Sequence, residues 1–210
     1  MGNYGDFIIE AGVLKGYVGL ESEVVLPFGL TAIGAGAFFR NTNIKTIQIP
    51  TGVKRIEPMA FCECVNLTSI KIPKGVETIG DSAFSDCHNL LYVDLPESVR
   101  IIGRGAFSRC VRLVYAQIPE GVVKIEPFAF SDCGFGEVSI PSTVDKIKMQ
   151  TFHGCRNLYA IYIPESVKRI AKNALGSKRH VNICTPEGSY AQKFAEENGY
   201  QVVVYRTTKE

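Results

Sequence analysis

The chain has 210 residues, 46% of them hydrophobic and 21% charged, with a formal net charge of +2. That balance is that of a folded globular protein and excludes a disordered or collagen-like chain. The charge is too small to imply nucleic acid or an anionic membrane as partner, and no apolar run approaches the roughly 18–20 residues of a membrane span.

The first predicted element is a hairpin at Asp6–Gly19, "DFIIEAGVLKGYVG", in which two apolar runs flank Ala11-Gly12. From there a phrase repeats. Phe38, Phe61, Phe84, Phe107 and Phe130 are each 23 residues apart, Phe152 follows after 22, and Leu175 after another 23. Pro27, Pro50, Pro73, Pro96, Pro119, Pro141 and Pro164 keep the same beat. A fixed period of this size is the signature of a solenoid, whose units bury their apolar sides only against neighbours.

Within one unit, Leu67, Ile70 and Ile72 form L-x-x-I-x-I, with Ser69 and Lys71 on the opposite face of a short strand. Pro73 ends the strand because it has no N–H to donate. Gly75 supplies a turn, Val76 and Ile79 point inward, Gly80 makes a second turn, and Ala83 and Phe84 plug the core. Cys87 closes the coil and Leu90 begins the next. Each coil is thus expected to add one short parallel strand, about 4.8 Å from its neighbour.

The pattern L-x-x-I-x-I-P…V-x-x-I…A-F-x-x-C resembles the BspA-type leucine-rich repeat and covers nearly the whole chain. It differs from commoner leucine-rich repeats, which place Asn in the turn after the strand; here that region holds Gly75, Ser98 or Gly121. The resemblance implies a mainly β, curved, right-handed solenoid that binds other molecules without catalysis. It adds adhesion to host or neighbouring-cell proteins as a specific possibility.

Beyond the repeats, Gly188–Gly199 reads as a short helix capped by Ser189 with Gln192, stopped by Gly199 and apolar along Tyr190 and Phe194; Gln201–Tyr205 reads as a last strand. The expectation is one complete domain, 1–210, with an N-terminal cap over 1–27, about seven repeats over 28–186, and a helix-plus-strand cap over 187–210.

Cys64, Cys87, Cys110, Cys133 and Cys155 share one slot in successive coils, with Asn41 in that slot of the first. This reads as a buried file of thiols meeting backbone carbonyls rather than as disulfides, since a regular parallel stack does not offer disulfide geometry. Cys62 stands where other coils have Ser85, Ser108 and Ser131, and is expected at the surface. "CEC" and "HGC" are weak metal signals, and His88, His153 and His180 fall in different coils, so no metal or cofactor is expected.

The outward strand positions run Thr46 and Gln48, Ser69 and Lys71, Tyr92 and Asp94, Tyr115 and Gln117, Glu137 and Ser139, Ala160 and Tyr162. Lys71, Tyr92, Asp94, Tyr115, Gln117 and Tyr162 are the candidate protein-binding face, with exposed tyrosines as its anchors; the bland alternative is that the tyrosines serve strand packing alone. A basic track, Lys54, Arg55, Arg100, Lys124, Lys146, Lys168 and Arg169, reads as a solvated face, since no interleaved aromatic pattern suggests nucleic acid. Arg40, Glu63, Asp86, Arg109 and Asp132 read as a surface ion ladder. No nucleophile–His–acid set or phosphate loop is found, and an open rod gives Asp86 and Asp132 no pocket, so an enzyme is not expected.

The functional expectation is a non-catalytic scaffold for a protein partner. The alternative is a cell-surface adhesin-like protein. "MGNYGDFIIE" shows no secretory signal, which favours the cytoplasm; the cell surface remains if an upstream leader was removed. A remote third reading is a carbohydrate-binding rod using Tyr92, Tyr115 and Tyr162.

Overall fold

The structure, a computed structural model, describes residues 4–176, 178 and 180–206. The outermost residues of both expected caps, 1–3 and 207–210, lie outside that range. Over the described residues the chain winds as a mainly β parallel solenoid of about eight turns, with one α-helix and a last strand.

Each coil makes strand twice, not once. The first ladder holds the predicted strands Thr46–Gln48, Ser69–Lys71, Tyr92–Asp94 and Tyr115–Ala116, behind Glu23–Val25 at its outer edge. They pair in parallel with Thr46, Ser69, Tyr92 and Tyr115 in one file. A second ladder, absent from the sequence reading, is built of two-residue strands such as Arg55–Ile56, Thr78–Ile79 and Ile101–Ile102. Two residues are too few for an alternating pattern to register in sequence. Ile56, Ile79 and Ile102 still turn inward and are fully buried, as the spacing from Val53, Val76 and Val99 requires.

The third side has no strand label yet is hydrogen-bonded throughout. Alternate N–H groups of one coil donate to the next: Met59 to the Asp81 carbonyl at 2.9 Å, Phe61 to Ala83 at 2.7 Å and Glu63 to Ser85 at 2.8 Å. The residues two before and two after each Phe carry positive φ, for instance Met59 (58°), Ser82 (53°), Glu63 (60°) and Asp86 (60°). That backbone favours glycine, which some coils supply: Gly36 and Gly105 stand in the first file, Gly154 in the second. Elsewhere ordinary side chains accept a cost of about 1–2 kcal/mol, offset by a paired donor at every coil.

This track aligns the plugs. Phe38, Phe61, Phe84, Phe107 and Phe130 stack with ring planes within 3–6° of parallel, their centroids spaced 5.0, 5.1, 5.2 and 5.4 Å in chain order. Tyr17 of the hairpin caps the stack, 5.4 Å from Phe38, with Phe7 on its outer side. The predicted hairpin is present as Phe7–Glu10 and Val13–Tyr17, turning at Ala11 and Gly12, both at positive φ.

At the other end the helix spans Tyr190–Asn198. The Ser189 side chain accepts from the Gln192 N–H, and Gly199 closes the helix in the left-handed conformation. Its buried face is Ala191, Phe194 and Ala195, with Phe194 against Tyr200. Tyr190 is 40% exposed, contrary to expectation: at 100° per residue it lies about 90° from the centre of that face. Gln201–Tyr205 pairs in parallel with Asn182–Pro186, as the outermost strand.

The strain on the third track is testable. Ser82→Gly should raise the unfolding free energy by about 1 kcal/mol and Gly105→Ala should lower it by a similar amount, both read from denaturant midpoints.

Candidate interaction surface

The thiol file forms as the spacing suggests. The Sγ atoms of Cys64, Cys87, Cys110, Cys133 and Cys155 each donate, at 3.1 Å, to the carbonyl of the plug one coil earlier: Phe38, Phe61, Phe84, Phe107 and Phe130. Asn41 fills the slot differently, its carbonyl oxygen accepting from the N–H groups of Asn43 and Ile44. Burial pushes the Cys64 and Cys155 thiols up to about 12, and raises those of Cys87, Cys110 and Cys133 in the same direction. Cys62 is not at the surface: it is 6% exposed, because coils about 5 Å apart leave little solvent access beside a small side chain on the third track. Ser85 and Ser131 of the same slot are buried too. All seven cysteines are free thiols.

The basic track is largely engaged. Lys124 pairs with Glu126 at 2.6 Å, Arg55 with Glu57 at 3.8 Å and Lys146 with Asp145 at 3.3 Å. Arg100 donates to the carbonyls of Glu97 and Gly121, and Lys168 to that of Glu165. Two pairs of the ion ladder form, Arg40–Glu63 at 2.9 Å and Arg109–Asp86 at 3.1 Å. Among the described residues no cluster of three or more His, Cys, Asp or Glu side chains is placed to hold a metal ion, and no helix is long and apolar enough to cross a membrane.

On the outward face of the first ladder, Tyr92 (50% exposed) and Tyr115 (60%) stand side by side in register. Lys71 and Asp94 are exposed register partners, and the Tyr115 hydroxyl donates to the Gln117 side chain at 3.3 Å. Tyr162 lies two strands beyond Tyr115 and one row along, in line with Ser139. The nearby Glu137 charge raises its phenol pKa. Ala160, in the same outward row as Glu137 and Asn182 on the adjacent strands, is nonetheless buried, a small side chain between those two neighbours.

Between Tyr115 and Tyr162 the face is interrupted. Where other coils read C-x-x-L (Cys110–Leu113, Cys155–Leu158), this one reads Cys133-Gly134-Phe135, one residue short. Both ladders stop there: Tyr115–Ala116 and Glu137–Ser139 belong to different sheets, as do Lys124–Ile125 and Lys146–Ile147. The third track runs through unbroken, with Phe130 N–H to the Thr151 carbonyl at 3.0 Å and Asp132 to His153 at 2.7 Å. The Phe stack widens to 5.7 Å between Phe130 and Phe152, and Phe135, standing where other coils have Leu, packs edge-on against Phe130 at 5.6 Å. The solenoid is therefore held on one side and opened on two.

On the strand face the opening is a cleft of about 780 Å³ whose walls include Val114, Tyr115, Gln117, Glu137 and Tyr159. Tyr115 and Gln117 are thus brought to it; Asp94 lines a neighbouring recess together with Gln117. Tyr159, 55% exposed, was absent from the sequence reading, and its signal was the 22-residue interval.

The sequence pattern of the BspA type leucine rich repeat region matches in six copies, over residues 9–134 and 77–191. Among curated proteins none matches the chain. Among solved structures it is similar to the T. pallidum leucine rich repeat protein TpLRR (26% identity, 93% of this chain and 91% of that one, TM-score 0.70). It is also similar to a leucine-rich repeat protein from Eubacterium ventriosum (26% identity, TM-score 0.73), where the alignment covers 79% of this chain and 45% of that one. The pneumococcal vaccine antigen PcpA shares the fold at 15% identity, with 89% and 56% covered and a TM-score of 0.67.

The thiol file sets an alkaline limit. The folded thiols have pKa values above the unfolded value of about 8.5, so their contribution to stability is fully present below that pH and is lost as pH rises toward 12. Denaturation midpoints should fall between pH 8.5 and 10.5, less steeply in Cys110→Ala, and a thiol reagent at pH 8 should find fast-reacting groups only after unfolding.

Proposed function

Because the chain belongs to the BspA-type leucine-rich repeat family, we propose that it is a non-catalytic scaffold that binds a protein partner through the outward face of its first ladder. The observation supporting this is the pair Tyr92 and Tyr115: two large side chains, each at least half exposed, held side by side on a rigid parallel ladder. Core packing does not require them there, since the inward positions of the same strands, Val93 and Ala116, are the buried ones. Tyrosines so placed offer contact area and a hydroxyl at small cost in side-chain freedom. Lys71, Asp94 and Gln117 flank the pair with polar groups, and Tyr162 adds an aromatic group two strands further on, beyond the break. A protein partner is favoured over a glycan because the face is broad and mixed in charge.

Two settings for such a scaffold are compatible with this surface, inside the cell or displayed on it as an adhesin-like protein. Protease treatment of intact source cells separates them: cleavage before lysis places the face outside, protection until lysis places it inside.

The double substitution Tyr92→Ala with Tyr115→Ala should weaken binding of a cognate partner by about 100-fold while changing stability by less than about 1 kcal/mol. Calorimetric titration and denaturation of the same preparation check both. Unchanged affinity would move the binding site off this face.

A further inference from the structure

We propose that the cleft opened by the short coil receives an extended peptide segment carrying a Lys or Arg side chain, which pairs by its main chain with the unpaired strand edges and by its charge with Glu120 and Glu137. This rests on the strand face being the binding face and names what one part of it takes.

The backbone supplies the first argument. Along the margin of the first ladder each coil donates to the one before: Leu91 N–H to the Thr68 carbonyl at 2.9 Å, Val114 to Leu91 at 3.2 Å, Tyr159 to Gly136 at 2.8 Å and Asn182 to Tyr159 at 2.9 Å. The corresponding bond across the break, Gly136 N–H to the Val114 carbonyl, is missing among the described residues. Tyr115–Ala116 and Glu137–Ser139 are consequently two strand edges facing one cleft. Unpaired edges are templates for an added strand, which brings its own donors and acceptors.

The charge supplies the second. Glu97, Glu120 and Glu137 line the cleft, with no Lys, Arg or His among its lining residues. Among the described residues the Glu120 and Glu137 carboxylates accept only from uncharged groups, Glu120 from the Ser142 N–H and hydroxyl and Glu137 from the Tyr159 hydroxyl, whereas the Glu97 carboxylate accepts from the Gly121 N–H and its carbonyl from the Arg100 guanidinium. Elsewhere Glu63, Asp86 and Glu126 have Arg or Lys partners. In a chain of net charge +2, Glu120 and Glu137 are two carboxylates in one cleft without an ion-pair partner among the described residues. The Glu137 charge is felt beyond it, raising the Tyr162 phenol pKa and adding to the burial that raises the Cys184 thiol. The walls, Val114, Tyr115 and Tyr159, are each more than half exposed and match the aliphatic stem of a long basic side chain.

The test uses fluorescence anisotropy with three labelled decapeptides: alternating Thr-Lys, alternating Thr-Glu, and Thr-Lys with alternate backbone nitrogens methylated. The Thr-Lys peptide should bind, and the other two should bind at least about tenfold more weakly. Glu120→Gln with Glu137→Gln should weaken Thr-Lys binding by a similar factor. A variant with Asn inserted after Gly134 and Phe135→Leu, which restores C-x-x-L and the 23-residue interval, should lose binding because its ladders close. Should that variant fail to fold, the carboxylate pair still decides. Failure of Thr-Lys to bind, equal binding of the methylated peptide, or undiminished binding by the Gln variants overturns the inference. If a cognate partner remains sensitive to Tyr92→Ala with Tyr115→Ala, such a failure leaves the strand face standing as the binding surface.

Discussion

A single coil of this chain can neither bury its phenylalanine nor satisfy its own backbone; only the next coil, offset by a fixed number of residues, does both. The carbonyls of the five plugs from Phe38 to Phe130 accept the thiols of the coils that follow, and alternate N–H groups of the third track reach forward to the coil beyond. Every other feature depends on that offset being kept. The five thiols in file raise no disulfide question because the stack holds each one against a carbonyl. Ordinary residues sit at positive φ because the repeated turn, with its repeated bonds, outweighs the local cost.

The same constraint locates the break in the strand face. One missing residue near Phe135 does not stop the solenoid, because the third track bridges it; it removes pairing on the two ladder sides and leaves a cleft on the tyrosine face. A scaffold of this kind combines a rigid ladder, which presents Tyr92 and Tyr115 in register, with one interruption where backbone and carboxylates are both available. Rigidity lowers the ordering cost of binding, and the interruption offers selectivity that a uniform repeat cannot.

Much of this was legible in sequence, and the reasons differ by element. The Phe and Pro intervals, the Ala11-Gly12 hairpin and the Ser189 cap are strong local signals, and each has its counterpart in the fold. The second ladder left no trace, since Thr78–Ile79 is too short to alternate. The third track was hidden because Met59 and Ser82 are not residues that announce a left-handed backbone. Cys62 was misplaced because burial there comes from the neighbouring coils rather than from its own sequence context. The 22-residue interval was visible, but its consequence was not: only the pairing shows that a one-residue deficit is absorbed by opening two faces while the third stays closed.

Amide hydrogen exchange resolved to single residues tests this account most directly. If the short coil opens the first ladder, the Gly136 amide should exchange far faster than its counterparts Leu91, Val114 and Tyr159, while Phe130 and Phe152 on the third track stay protected. Equal protection at Gly136 would mean that the ladder closes across the missing residue, and the cleft with the function assigned to it would not exist.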